Sequence, residues 1–104
     1  MKMAWISAPP EEANGLARRA VDSGLAACVN VLFGVTSIYR WHGEIHSDGE
    51  SLLIAKVSDE NAEEFVARIR EWHTYQCPEV LLTDVIGGNP DYIKWVGNPD
   101  EGRD

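Results

Sequence analysis

ACVNVLFGVTSIYRWHGEIHSDGESLLIAKV, residues 27–57, is the stretch on which the fold turns. Up to Trp41 it is dominated by Val, Ile, Phe, Thr, Tyr and Trp, residues that suit a pleated, half-buried surface, and a second such run ends at Leu52 to Val57. Two long strands forming a hairpin are predicted. The turn has two candidates: His42-Gly43, which interrupts the apolar run, and Asp48-Gly49, the better type I′ pair on propensity. A strand over 27–41 would be roughly 45–50 Å long at about 3.3 Å per residue. A compact domain of this length has a radius of gyration of about 13 Å and a diameter of about 35 Å. The hairpin must therefore overhang. A two-stranded overhang carrying Ile38, Tyr39, Trp41 and Ile45 is a sticky edge, and pairing with another copy of the chain is expected to cover it. Gly34, inside the first long strand, is where a bulge can re-aim the ribbon.

Working outward, residues 2–8 form a short apolar strand stopped by Pro9-Pro10. Ala13, Leu16, Ala17, Ala20 and Val21 then recur with helical spacing, with Glu11 and Glu12 in the first turn and Gly24 beyond the end, which predicts a helix over 10–23. Downstream of the hairpin, Ser58 caps a second helix whose apolar residues Ala62, Phe65, Val66, Ile69 and Trp72 carry it to about residue 73. Residues 78–86 read as a further strand. Asn89-Pro90-Asp91 supplies an N-cap, an N1 proline and an acidic N2 for a short helix ending at Gly97, and 98–104 are expected to form a flexible tail. The order β-α-β-β-α-β plus a short terminal helix predicts an α+β, ferredoxin-like split βαβ fold, with two helices on one face of a four-stranded antiparallel sheet. At 104 residues the chain, 1–104, is one domain.

Composition narrows the function. Nine Lys and Arg against 17 Asp and Glu give a net charge of −8, which repels nucleic-acid phosphates and anionic lipid. No apolar run approaches the roughly 20 residues of a membrane span, and none is a signal-peptide core. Cys28 and Cys77 lie far apart with no CxxC, so reduced thiols, no structural zinc and a cytoplasmic location are expected. No GxSxG, P-loop, HExxH or post-strand GxGxxG is present, so an enzyme is not expected.

Read together and in order, several segments resemble the CutA divalent-cation tolerance family: AACVN at 26–30, GVTSIYRW at 34–41 followed by Gly43 and Ile45, LLIAK at 52–56, His73-x-Tyr75-x-x-Pro78-Glu79, and Asn89 through Trp95. The similarity spans residues 2–96. It implies a ferredoxin-like fold assembled as a tight homotrimer whose long strands extend neighbouring sheets. It favours the turn at His42-Gly43, with Ser47 to Gly49 a kink in the returning strand. A role in the response to divalent metal ions, copper among them, is implied, by binding or signalling and not by catalysis. The alternatives are a small-molecule sensor resembling the PII signalling proteins and a structural or partner-binding trimer.

In the copper-binding members a first-strand Cys and a His-His pair carry the metal, and the matching positions here are Ile6, Trp72 and His73. Of the soft and borderline donors copper prefers, only the His73 imidazole remains. No cofactor is required, and any Cu²⁺ binding is expected to be weak. As a plain helix-end residue, His73 would instead sit at the negative end of the helix dipole. Cys28 reads as a packed thiol, while His42 and His46 read as solvated turn residues. The stronger candidate is a ligand cleft made by Trp41, Lys56, His73, Tyr75 and Glu79, which combines aromatic faces, one cation and one carboxylate. The competing reading has Tyr75 and Glu79 shaping the loop after the second helix and Trp41 capping a contact between copies. Three positions depart from the family pattern: Phe33 and Thr74 stand in for prolines, and Glu44 for a lysine after the turn.

Overall fold

The structure, a computed structural model, describes residues 1–102. Strands β1 (Lys2–Ala8), β2 (Cys28–Trp41), β3 (Glu44–Val57) and β4 (Val80–Asp84) form one sheet in the order β2-β3-β1-β4, with every neighbouring pair antiparallel. Helices α1 (Pro10–Asp22) and α2 (Ala62–Trp72) cover one face, and α3 (Pro90–Gly97) follows β4. This is the split βαβ plan. No described helix is long and apolar enough to cross a bilayer.

The core follows from strand alternation. Ala4, Ile6 and Ala8 on β1 and Leu53, Ala55 and Val57 on β3 point to the helices and are buried there with Phe65 and Ile69 of α2. From α1 the buried residues are Ala13, Ala17 and Ala20, small side chains that let the helix lie close to the sheet. Ser58 does cap the chain's entry to α2, but through an intervening 3₁₀ turn over Asp59–Asn61, with its hydroxyl accepting from the Asn61 amide at 3.3 Å. Asn89 caps α3 by accepting from the Asp91 amide at 3.1 Å. Of the segment expected to be a tail, Pro99–Glu101 form a 3₁₀ turn, and its last two residues lie outside the described residues.

The hairpin overhangs as its length requires: the molecule measures 47 × 25 × 24 Å. The turn is at His42-Gly43, with φ of 50° and 77°, the two positive values of a type I′ connection. Asp48-Gly49 lies instead within β3, opposite Ser37 and Thr36. The expected kink over Ser47 to Gly49 is absent, because these residues keep unbroken register with Ile38, Ser37 and Thr36. The irregularity is on the other strand. Leu32 faces Leu52 and Val35 faces Glu50, so Phe33 and Gly34 together oppose Ser51, and Gly34 takes φ +79°. That is a bulge with glycine in the left-handed region. It reverses the parity of β2: Cys28, Asn30 and Leu32 share the sheet face turned away from α1 and α2, and beyond the bulge that face passes to Val35, Ser37, Tyr39 and Trp41.

Substitutions at two glycines test this geometry. A Cβ at Gly34 meets no atom within 4 Å, so Gly34→Ala is penalised by backbone conformation alone and should lose about 1–2 kcal/mol in chemical denaturation. Gly49→Ala, in ordinary extended backbone with equal room, should be neutral or slightly stabilising.

Candidate functional site

Between the ribbon and the loop after α2 lies a cleft of about 700 Å³. Its walls are Ser37, Ile38, Tyr39, Trp41, Asp48 and Glu50 from the hairpin, Ser7 from β1, and Tyr75, Gln76, Cys77 and Glu79 from the loop. Register explains the ribbon side. The pairs Ser37–Asp48 and Val35–Glu50 put both carboxylates on the face that carries Tyr39 and Trp41. Two phenol–carboxylate contacts hold the rings: the Tyr39 hydroxyl donates to Asp48, and the Tyr75 hydroxyl donates to Glu50 at 3.2 Å. His46 stacks on Tyr39 with centroids 5.5 Å apart, and His42 meets Trp41 edge-on at 5.2 Å.

Of the five cleft candidates, Trp41, Tyr75 and Glu79 share this cleft, and two do not. Lys56 lies farther along β3, opposite Cys28, where its ammonium donates to Asn30 and stands 4.0 Å from the Cys28 sulfur. His73 is buried behind Tyr75, ring centroids 4.7 Å apart. Its Nδ1 accepts the Tyr75 amide at 3.1 Å, so Nε2 carries the proton and donates to the Ser7 carbonyl at 2.8 Å. Both ring nitrogens are used by backbone, leaving no lone pair for a metal. The other two positions matched to copper donors offer none: Ile6 is in the core, and Trp72 has the Arg19 guanidinium 4.3 Å above its ring. Among the described residues no group of three or more His, Cys, Asp or Glu side chains is placed to hold a metal ion. A smaller hollow of about 290 Å³ lies on the far side of His73, where the Thr74 hydroxyl donates to Glu12 at 2.9 Å.

Ser7, Ser37, Ile38, Tyr39, Asp48, Glu50, Gln76 and Cys77 line the cleft outside the predicted set, and Tyr39, Asp48, Glu50 and Cys77 are those that carry ionisable groups. Once the turn is fixed at His42-Gly43, counting back in pairs from Trp41 opposite Glu44 reaches Tyr39, Asp48 and Glu50. Cys77 has only its place in the Tyr75–Glu79 loop to signal it.

The Tyr75 phenol is pushed up to about 12, first by loss of hydration and next by the Glu50 charge it faces. Tyr39 is also raised, chiefly by its hydrogen bond to Asp48. Because the folded Tyr75 value lies above the ordinary 10, its contribution to stability is complete below pH 10 and is lost as pH rises through about 12. Absorbance titration of the phenolate band should show a late ionisation near 12 that Tyr75→Phe removes. Ionisation of every tyrosine near 10 would contradict the Tyr75–Glu50 contact.

Comparison with known proteins places this architecture. The profile of the family described as CutA1 divalent ion tolerance protein matches residues 2–99. The divalent-cation tolerance protein CutA of Thermus thermophilus is 39% identical over 92 residues, covering 88% of this chain and 89% of that protein. The chloroplastic CutA of Arabidopsis thaliana is 37% identical over 95 residues, covering 90% of this chain, which spans about half, 52%, of that longer relative. Among solved structures, the PII-like protein CutA from Nostoc, in apo form, superposes with a TM-score of 0.88 at 39% identity, covering 92% of this chain and 93% of that one. The chain, with its bulged long hairpin and helix-backed sheet, belongs to the CutA1 divalent ion tolerance family.

Proposed function

We propose that this protein acts as a cytosolic homotrimer in the response to divalent metal ions, copper among them, by binding or signalling and not by turnover. The observation that carries the reading is the family match over residues 2–99, whose members bear the name divalent-cation tolerance protein. Assembly is supported by what one copy leaves uncovered. Ile38 and Ile45, on the ribbon face opposite Tyr39 and Trp41, are 71% and 70% exposed, and Leu81 of the edge strand β4 is 61% exposed. Apolar side chains along open strand edges are what a second copy of the same sheet covers. A role without turnover is supported by His73, whose nitrogens are both held by backbone and so are unavailable as a general base. The unpaired Cys28 and Cys77 fit a reducing compartment.

A second reading, a small-molecule sensor, is favoured by the cleft itself and by the PII-like description of the Nostoc relative. In the metal reading any contacts within one copy are to dispersed side chains, since among the described residues no group of three or more His, Cys, Asp or Glu is placed to hold an ion.

Sedimentation at micromolar concentration should give one species of about 35 kDa, three copies of an 11.6 kDa chain. A stable monomer would refute the assembly. Calorimetry with Cu²⁺ on metal-free protein should show weak binding that fades in acid as imidazoles take up protons. Replacing the ribbon residues His42 and His46 by Ala should remove it, while His73→Ala should leave it in place. Tight Cu²⁺ binding lost in His73→Ala would reverse this assignment.

A further inference from the structure

The 290 Å³ hollow lies on the helix side of the sheet and shares no lining residue with the ribbon cleft. Glu12, Gly15, Leu16 and Arg19 form its α1 wall, and Trp72 and Thr74, at the end of α2, stand opposite. The spacing i, i+3, i+4, i+7 puts the four α1 residues on one face of the helix. The two ends of that row carry opposite charges, and neither is neutralised. Arg19 is exposed, with its guanidinium 4.3 Å from the centroid of the Trp72 ring. Glu12 accepts the Thr74 hydroxyl at 2.9 Å through one oxygen. Among the described residues neither Glu12 nor Arg19 takes part in an ion pair, with each other or with any other group. Between them sits Gly15, in mid-helix, where glycine is less stable than alanine. Nothing in its own surroundings requires it: a Cβ there would meet no atom within 4 Å, and its φ is not among the chain's positive values. What Gly15 leaves is room, and that room is the middle of the hollow.

We propose that this hollow binds a small amino-carboxylate zwitterion, its carboxylate on Arg19, its ammonium on Glu12 and its carbon chain over Gly15 between Leu16 and Trp72. The site is separate from the ribbon cleft and independent of the metal response. A guanidinium lying over an indole keeps its N–H edge free, and that planar fork matches a carboxylate. The Glu12 oxygen that Thr74 does not use can accept an ammonium N–H. Seven residues of helix set Glu12 and Arg19 about 10.5 Å apart along the axis. A charge-assisted contact of about 2.8 Å at each end leaves roughly 5 Å between the ligand's own charges. A chain of three methylenes between amine and carboxylate spans that gap, whereas an α-amino acid, with both groups on one carbon, is too short to engage both ends. A simple anion would leave Glu12 without a partner, and a simple amine would do the same to Arg19. The volume is at the lower end for a small-molecule site, which suits a ligand of few heavy atoms.

The test is calorimetry on the full chain in dilute phosphate near neutral pH, free of amine and carboxylate buffers. The probes are 4-aminobutanoate, butanoate, butylamine and glycine. 4-Aminobutanoate should give saturable heat, with each of the other three at least about tenfold weaker. Arg19→Gln should weaken 4-aminobutanoate at least about tenfold, and Glu12→Gln, which keeps an acceptor for Thr74, at least about threefold. Gly15→Leu fills the hollow from an unstrained helical position and should abolish the heat while the melting temperature stays the same or rises. Should that variant fold poorly, Arg19→Gln, at an exposed position, decides alone. Butanoate or butylamine binding as tightly as 4-aminobutanoate would overturn the ligand class. Heat that persists undiminished in Arg19→Gln, or in a well-folded Gly15→Leu, would overturn the site. Silence towards every probe would overturn both.

Discussion

The constraint on which the rest depends is the antiparallel ladder between β2 and β3, fourteen residues on each strand. Its inner half is ordinary sheet: Leu53, Ala55 and Val57 face the helices and supply part of the core. The outer half has no helix to cover it, so its two faces carry other work. One offers Ile38 and Ile45 to whatever lies alongside, and the other presents phenols and carboxylates to the loop after α2. The bulge at Gly34 separates the halves. With one residue fewer on β2, strand parity would turn Tyr39 and Trp41 to the opposite face, and the cleft would lose its ribbon wall.

His73 connects this ribbon to the domain. It stands just past the C-terminus of α2, and its imidazole joins the β1 backbone at Ser7 to the loop backbone at Tyr75. Tyr75 then reaches Glu50 on the returning strand. A helix end, a central strand, a loop and the ribbon are thus linked through one histidine and one tyrosine. Buried polar groups whose hydrogen bonds are satisfied fix geometry in this way, and here they fix the width of the cleft.

Much of this architecture could be read before any coordinates. Pro9-Pro10, the alanine spacing of α1, the Asn89 cap and the length of the hairpin each encode local chemistry that acts over a few residues, and each element formed where its signal stood. The turn was different. Asp48-Gly49 has the better local propensity, but a turn there would break the ladder that pairs Trp41 with Glu44 and Tyr39 with His46, so long-range pairing prevailed. The cleft was half legible for the same reason. Trp41, Tyr75 and Glu79 were recognisable by residue type, whereas Glu50 read as one more surface carboxylate in a polar run. Register, counted outward from the true turn, places it on the face with Tyr39 and Trp41, and the Tyr75 loop packed over that face buries it. Lys56 was drawn into the cluster by its chemistry and excluded by its position, opposite Cys28 near the far end of the ladder.

The rejected turn also bears on how the chain reaches its native state. In the unfolded protein Asp48-Gly49 can close a small local hairpin within microseconds, before distant segments have met. That hairpin would align His46 with Ser51, a register incompatible with native β3, in which both residues belong to a single strand. It must open before the fourteen-residue ladder can zip from His42-Gly43, so the sequence contains a short-lived kinetic competitor to its own longest structural element. The two turn signals, six residues apart, thus compete for the same strand, and the long-range ladder decides between them.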